Sequence, residues 1–334
     1  MISIGPARYP QARWGSYAAY LSYEFKWNEK LILQAGFRYN YFHLQAEFDT
    51  AFYPFPFTEA RLNKGAPIGN VGLIYHPAAR WTLRASLASG FRAPNVDDAG
   101  KVFDSSPGSV IVPNPELKPE YAWNFEAGVA RAFGDVARIE LTGFYTLLQQ
   151  AMVRRNFQLN GMDSIIYDGE LSQVQAIQNA SSAYVYGVQA ALEITFPKGL
   201  GLQSSFNWQR GREELDDGTV SPLRHAAPLF GITHFTYAVG RLKMDLYAVY
   251  SGRIAYENLS EESRSTPYLF AADKNGNPYS PAWYTLNFKA RYEVTDFFAC
   301  SAGVENITDQ RYRTYSSGVA AAGRNFILSL QVKF

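Results

Sequence analysis

The carboxyl-terminal end of the chain alternates between apolar and mostly polar residues, and this pattern constrains the fold more than any other feature. The apolar positions are Phe326, Leu328, Leu330, Val332 and Phe334, and the residues between them are Asn325, Ile327, Ser329, Gln331 and Lys333. Because successive side chains of a strand point to opposite faces of a sheet, the segment predicts a strand with one apolar face. The same alternation recurs in segments of about ten residues or more, the length that a tilted strand needs to cross a bilayer. We therefore predict a transmembrane β-barrel, with an ordinary soluble strand as the alternative for this segment.

The composition agrees with a barrel whose strands face water on one side. Of the 334 residues, 47% are hydrophobic and 16% are aromatic, and the mean hydropathy is −0.21. No apolar run approaches the roughly 18 residues of a transmembrane helix. The net charge of +1 gives no electrostatic reason to expect a nucleic acid partner. The single cysteine, Cys300, excludes an intramolecular disulfide, and its place on an apolar row predicts a small lipid-facing residue.

The alternation predicts thirteen strands and a regular change between short and long connections. The strands lie at 16–27, 31–44, 67–76, 81–91, 120–133, 137–150, 183–196, 202–212, 228–238, 241–253, 282–294, 297–306 and 324–334. The long connections lie at about 45–66, 92–119, 151–182, 213–227, 254–281 and 307–323. Outer-membrane barrels have short periplasmic turns and long extracellular loops. The pattern therefore predicts an all-β, antiparallel up-and-down barrel whose long loops lie outside the cell.

Three motifs carry a resemblance to a known family. The segments Gly90-Phe91-Arg92-Ala93-Pro94-Asn95 and Asn114-Pro115-Glu116-Leu117-Lys118-Pro119-Glu120 resemble the paired FRAP and NPNL boxes of TonB-dependent outer-membrane receptors. Glu116 stands where the second box has Asn. Val304-Glu305-Asn306-Ile307-Thr308-Asp309, followed by Tyr312, resembles the penultimate strand of that family. The final strand, ending at Phe334, resembles the signal that such barrels present to the barrel-assembly machinery.

The resemblance implies active uptake of a scarce, bulky solute across the outer membrane of a Gram-negative cell. The family uses a large barrel, of the 22-stranded kind with a plugged lumen, and a plug domain that carries the segment bound by TonB. We assign residues 1–334 to the carboxyl-terminal portion of such a barrel, with a plug and roughly nine strands missing. The amino terminus, Met1-Ile2-Ser3-Ile4-Gly5-Pro6, does not have the pattern of a secretory signal, which also indicates a fragment. With an odd strand count, we expect an open, curved wall in outer-membrane lipid that neither closes nor transports alone.

The two boxes also have a physical interpretation. Pro94 lacks a backbone donor and favours extended geometry at Ala93, which ends the strand. Arg92 and Glu120 stand at the two ends of the intervening loop and can form an ion pair across it. We interpret the box residues as shaping a loop rather than touching ligand: Phe91, Arg92, Ala93, Pro94, Asn114, Pro115 and Leu117.

Ligand contacts are expected from aromatic and arginine side chains at loop tips, which stack on flat ligands and pair with anions. The candidates are Tyr53, Phe55, Phe57, Arg154, Arg155, Tyr268, Phe270, Tyr312, Arg313 and Tyr315, together with His225. Each of them has packing in a loop or an interface belt as an alternative role. Haem receptors of the family place a histidine between the boxes, and residues 95–113 contain none. A ferric siderophore or cobalamin is therefore favoured over haem.

Two other function classes stay open at this stage. A passive porin would share the polar lumen but would lack the paired boxes. A barrel hydrolase would need an acid pair or a Ser–His arrangement at the outer rim, and Asp216-Asp217 with His225 is the nearest approach. Glu213, Glu214 and Gly218 favour a solvated acidic loop there instead. We expect no catalytic residue, no resident metal and no cofactor.

Overall fold

Thirteen long strands form one antiparallel sheet, as the alternation predicts. The computed structural model describes residues 9–48, 58–100, 103–106, 108–167, 169–215 and 218–334. The long strands are β1 (Gln11–Asn28), β2 (Leu31–Glu47), β3 (Glu59–Tyr75), β4 (Trp81–Arg92), β7 (Glu120–Phe133), β8 (Ala137–Asn156), β10 (Glu170–Thr195), β11 (Leu200–Glu214), β13 (Phe230–Val239), β14 (Leu242–Ser251), β17 (Trp283–Glu293), β18 (Phe298–Glu305) and β19 (Asn325–Val332). Each pairs with the next long strand along the chain.

The long connections contain secondary structure that the alternation did not predict. The short strands are β5 (Phe103–Ser106), β6 (Ser109–Val112), β9 (Ser164–Tyr167), β12 (Val220–Pro222), β15 (Ala271–Ala272) and β16 (Pro278–Tyr279). The helices are α1 (Val96–Ala99) and α2 (Glu261–Arg264), and 3₁₀ turns lie at Pro197–Gly199, Tyr256–Asn258 and Pro267–Leu269. β6 pairs in parallel with β10, which is an exception to the antiparallel pattern of the wall. Except for the 3₁₀ turn Pro197–Gly199, these elements all lie in the long connections. The end of the sheet that carries the long connections therefore has additional secondary structure, and we call it the elaborated end.

Several strands are longer than predicted at the end that carries the long connections. β2 and β3 remain paired up to Glu47 and Glu59, and β8 and β10 remain paired up to Asn156 and Gln175. The predicted loops at 45–66 and 151–182 are therefore partly strand. These extensions lack a regular contrast between an apolar and a polar face, so a period of two was not visible there.

The outward rows of apolar side chains line up from strand to strand. Paired residues include Tyr17 with Tyr41, Leu246 with Phe288, and Cys300 with Leu330. Many of these outward side chains are exposed, Leu21 and Phe326 by 73% each. Contiguous apolar exposure of this kind marks a surface that meets lipid or a partner. Cys300 lies on this outward row, as predicted.

The inward rows carry charges that pair with one another. Lys289 Nζ lies 2.9 Å from Glu305 Oε1, and Arg84 Nη2 lies 3.3 Å from Glu140 Oε2. A polar interior and an apolar exterior are the arrangement of a transmembrane barrel. No helix in the described ranges is long and apolar enough to cross a membrane.

The sheet is open, as predicted. Among the described residues, β1 pairs with β2 alone and β19 pairs with β18 alone. Because the long strands are odd in number, β1 and β19 run in the same direction and cannot close the wall by antiparallel pairing. An unsatisfied backbone group in the bilayer core costs several kcal/mol, so two bare edges are unfavourable there.

Candidate functional site

An ion-pair network closes the loop between the two boxes, residues 93–119, which we call the box loop. Arg92 Nε donates to Glu120 Oε1 at 2.5 Å, and its Nη1 donates to Asp98 Oδ2 at 2.8 Å. The other oxygen of Glu120 accepts the backbone N–H of Met152 at 2.8 Å. The predicted pair between Arg92 and Glu120 is confirmed, and it also ties the box loop to β8.

The second box fixes the return of the box loop through buried contacts. Asn114 Nδ2 donates to the carbonyl of Ile177 at 2.7 Å, while its Oδ1 accepts the N–H of Glu116 at 3.0 Å. Only the backbone of residue 116 takes part in this bond, so Glu can stand there in place of Asn. Leu117 is buried in a small core with Phe42 and Ala99.

The same core contains other box residues. Phe91 and Ala93 pack against it, and Pro94 is fully buried. The remaining buried members of the core are Leu44 and Leu62, from the extended ends of β2 and β3. The box loop is therefore held between the β2–β3 hairpin and the ends of β8 and β10.

The third motif organises the loop 307–323 through one buried side chain. Asn306 Oδ1 accepts the N–H of Gln310 at 2.9 Å, and Nδ2 donates to the carbonyls of Gln310 at 2.9 Å and Ala322 at 3.2 Å. Asn306 has a φ of 49°, a left-handed conformation that Asn tolerates better than other non-glycine residues. Asp309 Oδ1 accepts the N–H of Arg324 at 2.8 Å at the end of the loop. The motif thus closes the base of this loop.

Gln310 connects that loop to the wall. Its Oε1 accepts the N–H of Tyr284 at 3.1 Å, close to the first residue of β17. The neighbouring ring of Tyr312 lies against Trp283, with 4.2 Å between ring centroids. Trp283 belongs to the inward row, because Tyr284 pairs with Tyr250 on the outward row.

A cavity of about 360 Å³ opens between this loop and the loop 254–281. Its lining includes aromatic, arginine and polar residues: Tyr268, Phe270, Ser280, Trp283, Gln310, Arg311, Tyr312, Arg313 and Ser316. Arg313 Nη1 donates to the carbonyl of Tyr268 at 3.3 Å, which joins the two loops. Ser316 Oγ is buried and has no hydrogen-bond partner in the described part of the chain.

The structure brings together five of the predicted ligand residues. Tyr268, Phe270, Tyr312 and Arg313 line the cavity, and the ring of Tyr315 packs on Phe270 at 6.4 Å between centroids. Burial raises the pKa of the Tyr315 hydroxyl above its ordinary value. These aromatic rings and guanidinium groups can stack on a flat ligand and pair with its anionic groups.

The other predicted ligand residues lie elsewhere. Arg154 and Arg155 are on the extension of β8, paired with Ile177 and Ala176 of β10. His225 is exposed in the segment after β12 and does not line the cavity. Tyr53, Phe55 and Phe57 are outside the described residues, as is the pair Asp216-Asp217.

Sequence reasoning missed several residues of the cavity. Trp283 was placed within a strand and was not considered as a ligand residue, although the alternation puts it opposite the outward Tyr284. Gln310, Arg311 and Ser316 belong to the loop after the third motif, where no periodicity indicates which side chains face inward.

The remaining histidines have hydrogen-bonded or stacked neighbours. His234 Nδ1 lies 2.9 Å from Asp245 Oδ2, and His76 Nδ1 lies 3.2 Å from Thr82 Oγ1. The ring of His43 stacks with that of Tyr17 at 6.2 Å. Within the ranges that the structure describes, no three His, Cys, Asp or Glu residues are grouped to hold a metal ion.

The sequence matches the family described as "TonB dependent receptor-like, beta-barrel" over residues 3–307. The chain belongs to this family. It is 25% identical over 340 residues to the hemoglobin-haptoglobin utilization protein B of Neisseria meningitidis serogroup A, covering 95% of this chain and 40% of that protein. It is 24% identical over 259 residues to the iron-regulated outer membrane virulence protein of Vibrio cholerae serotype O1 strain N16961, covering 76% of this chain and 37% of that protein.

A likeness to solved structures supports the same fold. The copper transporter OprC superposes with a TM-score of 0.73 at 17% identity, over 97% of this chain and 50% of that chain. Other matches have names that mention transferrin, vitamin B12 and siderophores. The chain spans about 40% of the length of these curated relatives and about half of that solved chain. Family members are outer-membrane receptors and transporters and are not enzymes, so the outer-membrane location predicted from the alternation is confirmed.

Proposed function

We propose that this chain forms wall and extracellular loops of a receptor that binds a ferric siderophore or cobalamin and imports it with energy transmitted by TonB. The cavity between the loops 254–281 and 307–323 is the observation that carries the proposal. It lies on the inward side at the elaborated end of the sheet, where a solute from outside would first meet the barrel.

The lining of the cavity suits a bulky chelate. Small-molecule sites occupy roughly 300–1,000 Å³, and the cavity of about 360 Å³ lies at the lower end of this range, so it can hold one part of a bulky solute rather than the whole of it. Trp283 and Tyr312 offer two rings in contact, tilted by 30° to one another, to a flat or aromatic group. Arg311 and Arg313, both exposed, offer guanidinium groups to carboxylate, catecholate or phosphate oxygens.

Free haem fits this site less well than the other two solutes. Residues 95–113 contain no histidine, and none of the four histidines lines the cavity. An iron porphyrin would therefore find no imidazole ligand there. The predicted order, with a siderophore or cobalamin before haem, stands as part of the proposal.

The open edges bear on how the receptor is completed. Because β1 and β19 run in the same direction, antiparallel closure needs an odd number of further strands between them. The expected complement of roughly nine strands satisfies this condition for a 22-stranded barrel. We propose that these strands, a plug that engages TonB, and recognition of Phe334 by the barrel-assembly machinery complete the receptor. This chain by itself then neither seals the membrane nor transports.

Binding measurements on the complete receptor test the proposal. The probes are a ferric tris-catecholate, a ferric hydroxamate, cyanocobalamin and haemin, titrated by quenching of intrinsic fluorescence. Trp283→Ala and Tyr312→Ala should each weaken binding of one probe other than haemin by about tenfold or more, because each removes one of the two rings in contact. Tyr256→Ala is the control, since Tyr256 belongs to the loop 254–281 but lies under the guanidinium of Arg264 at 4.8 Å and does not line the cavity.

Two outcomes contradict the proposal. One is unchanged affinity of every probe in the Trp283 and Tyr312 variants. The other is tight binding of haemin alone, with loss in the same variants, which would make haem the substrate and overturn the order given above.

A further inference from the structure

Two glutamates lie on either side of one arginine where three of the long connections meet. Glu213, near the end of β11, belongs to the inward row and is paired along the backbone with Ser221 of β12. Its carboxylate accepts the backbone N–H of Arg224. The guanidinium group of Arg224 forms an ion pair with Glu262 of α2, in which Nη1 donates to Oε1. We call Glu213, Arg224 and Glu262 the loop latch.

The loop latch lies beyond the membrane-spanning part of the wall. The outward aromatic rings of a barrel mark the membrane interfaces. The last outward ring of β11 is that of Trp208, and Glu213 lies further along the strand by about 16 Å. The pH of the surrounding water therefore acts on the latch directly.

The short helix α2 connects the latch to the two loops that form the cavity. The backbone N–H of Glu261 donates to Ser221 Oγ at 3.2 Å, which ties α2 to β12. Ser263 is fully buried, and a hydrogen bond joins its hydroxyl to that of Tyr315 in the loop 307–323. The ring of Tyr315 packs on Phe270, which lines the cavity. A change in the latch is therefore transmitted through α2 to both loops.

The two carboxylates of the latch repel each other, because one guanidinium charge lies between two negative charges. Burial raises the pKa of the Glu213 carboxyl above its ordinary value, and the charge of Glu262 raises that pKa further, while the N–H and the charge of Arg224 oppose both effects. As the pH falls, Glu213 takes up a proton before an ordinary glutamate does. The repulsion then disappears, and the ion pair between Arg224 and Glu262 remains.

The closed arrangement of the loops is therefore most stable in acid. Because the pKa of Glu213 is raised in the closed arrangement, the extra stability is complete below the ordinary pKa of a glutamate. It is lost as the pH rises through the raised pKa.

Other titratable and charged groups lie near the latch and have different settings. They are Arg212 and Glu214 on the outward row of β11, Glu261 and Arg264 of α2, His225 and Tyr315. Glu214 accepts a hydrogen bond from the hydroxyl of Ser182 at 3.0 Å, and Arg264 donates to the carbonyl of Tyr256 at 3.2 Å. The raised pKa of Tyr315 keeps its hydroxyl uncharged near neutral pH. His225 is exposed, and histidine is the side chain whose ordinary pKa lies nearest to neutral pH, so a test must separate it from Glu213.

We propose that the loop latch is a pH-sensitive switch that holds the two loops of the cavity together at mildly acidic pH and loosens them at neutral pH. A cavity with a better fixed wall loses less conformational entropy on binding, so its solute should bind more tightly at acidic pH. This consequence for binding rests on the proposed function. The movement of the loops does not.

Hydrogen exchange of the complete receptor without solute tests the switch. Exchange is measured at about pH 5 and about pH 8 and corrected for the intrinsic dependence of amide exchange on pH. Peptides from 254–281 and 307–323 should be about two- to fivefold more protected at the lower pH, the size of a charge interaction at a partly exposed site. Glu213→Gln should keep the higher protection at both pH values, because glutamine retains the acceptor oxygen without the charge. Glu214→Gln is the matched control, the same change on the outward row, and should respond to pH as the wild type does.

Three results would overturn the switch or its path. The first is equal corrected protection of the wild type at the two pH values. The second is a response to pH that persists in Glu213→Gln, which would assign it to His225 or another group. The third concerns Tyr315→Phe, which removes the hydroxyl bonded to Ser263 and should confine the response to 254–281; an unchanged response in 307–323 overturns the path through α2. A receptor that shows the response to pH but binds none of the solute probes would count against the proposed function alone.

Discussion

Replacing Asn306 by Ala should release the loop 307–323 and with it one wall of the cavity. The Asn306 side chain makes three hydrogen bonds, two with the backbone of Gln310 and one with the carbonyl of Ala322. A buried hydrogen bond contributes about 0.5–1.5 kcal/mol net, so their loss amounts to about 3 kcal/mol. Alanine at a φ of 49° adds about 1 kcal/mol of backbone strain relative to Asn. The opening free energy of the loop should fall by about 4 kcal/mol, or nearly a thousandfold in the opening equilibrium.

Hydrogen exchange of the complete receptor, followed by mass spectrometry, measures this change. Peptides from 307–323 should exchange much faster in Asn306→Ala, while peptides from β17 and β18 should keep their protection beyond the residues next to the loop. Asn306→Gly removes the same hydrogen bonds without the strain, so it should recover about 1 kcal/mol. Asn275→Ala is the control, because Asn275 is exposed in the other loop and its side chain makes no comparable set of bonds. Equal protection of 307–323 in the wild type and in Asn306→Ala would refute the role given to this residue.

Further predictions concern membrane insertion, sidedness and substrate. Leu328→Asp with Leu330→Asp, or deletion of Phe334, should lower the amount of receptor recovered in the outer membrane. Ser329→Asp should be tolerated, because Ser329 lies on the inward row. Normal recovery of the first two variants would argue against the lipid-facing row. An epitope tag at Gly276 should be labelled on intact cells and a tag at Gly134 should not, and the reverse pattern would invert the topology. His225→Ala should leave growth on haem unchanged. Loss of growth on haem in this variant would make His225 a ligand residue.

The long strands could be predicted from the sequence because one face of each meets lipid and the other meets water. Apolar and polar residues therefore alternate along them. All thirteen long strands follow from rows such as Leu242, Met244, Leu246 and Ala248. The predicted strands are too short where this alternation of apolar and polar residues stops. In β2 beyond Asn40, the inward residues Phe42 and Leu44 are apolar because they pack against the box loop, so both faces lose their contrast.

The candidate site was predictable in residue type but not in arrangement. Aromatic and arginine residues at loop tips indicated Tyr268, Phe270, Tyr312 and Arg313, and these line the cavity. Their meeting depends on the path of two loops, in which Tyr268 and Phe270 lie more than forty residues before Tyr312 and Arg313. That path is set by bonds such as the one from Arg313 to the carbonyl of Tyr268, at a separation of 45 residues. No pattern of neighbouring residues in the sequence predicts a contact between two such distant residues. Trp283 could have been found, since its row is fixed by that of Tyr284.

Uptake by cells with and without TonB tests the central claim most directly. Cells that carry the complete receptor as their only outer-membrane route for a probe would be given the ferric siderophore or cobalamin that binds it, and the accumulated label would be measured over time. The account predicts uptake that requires TonB and stops when the proton gradient across the inner membrane is dissipated. Uptake that continues undiminished in cells lacking TonB would show a passive channel and contradict the account.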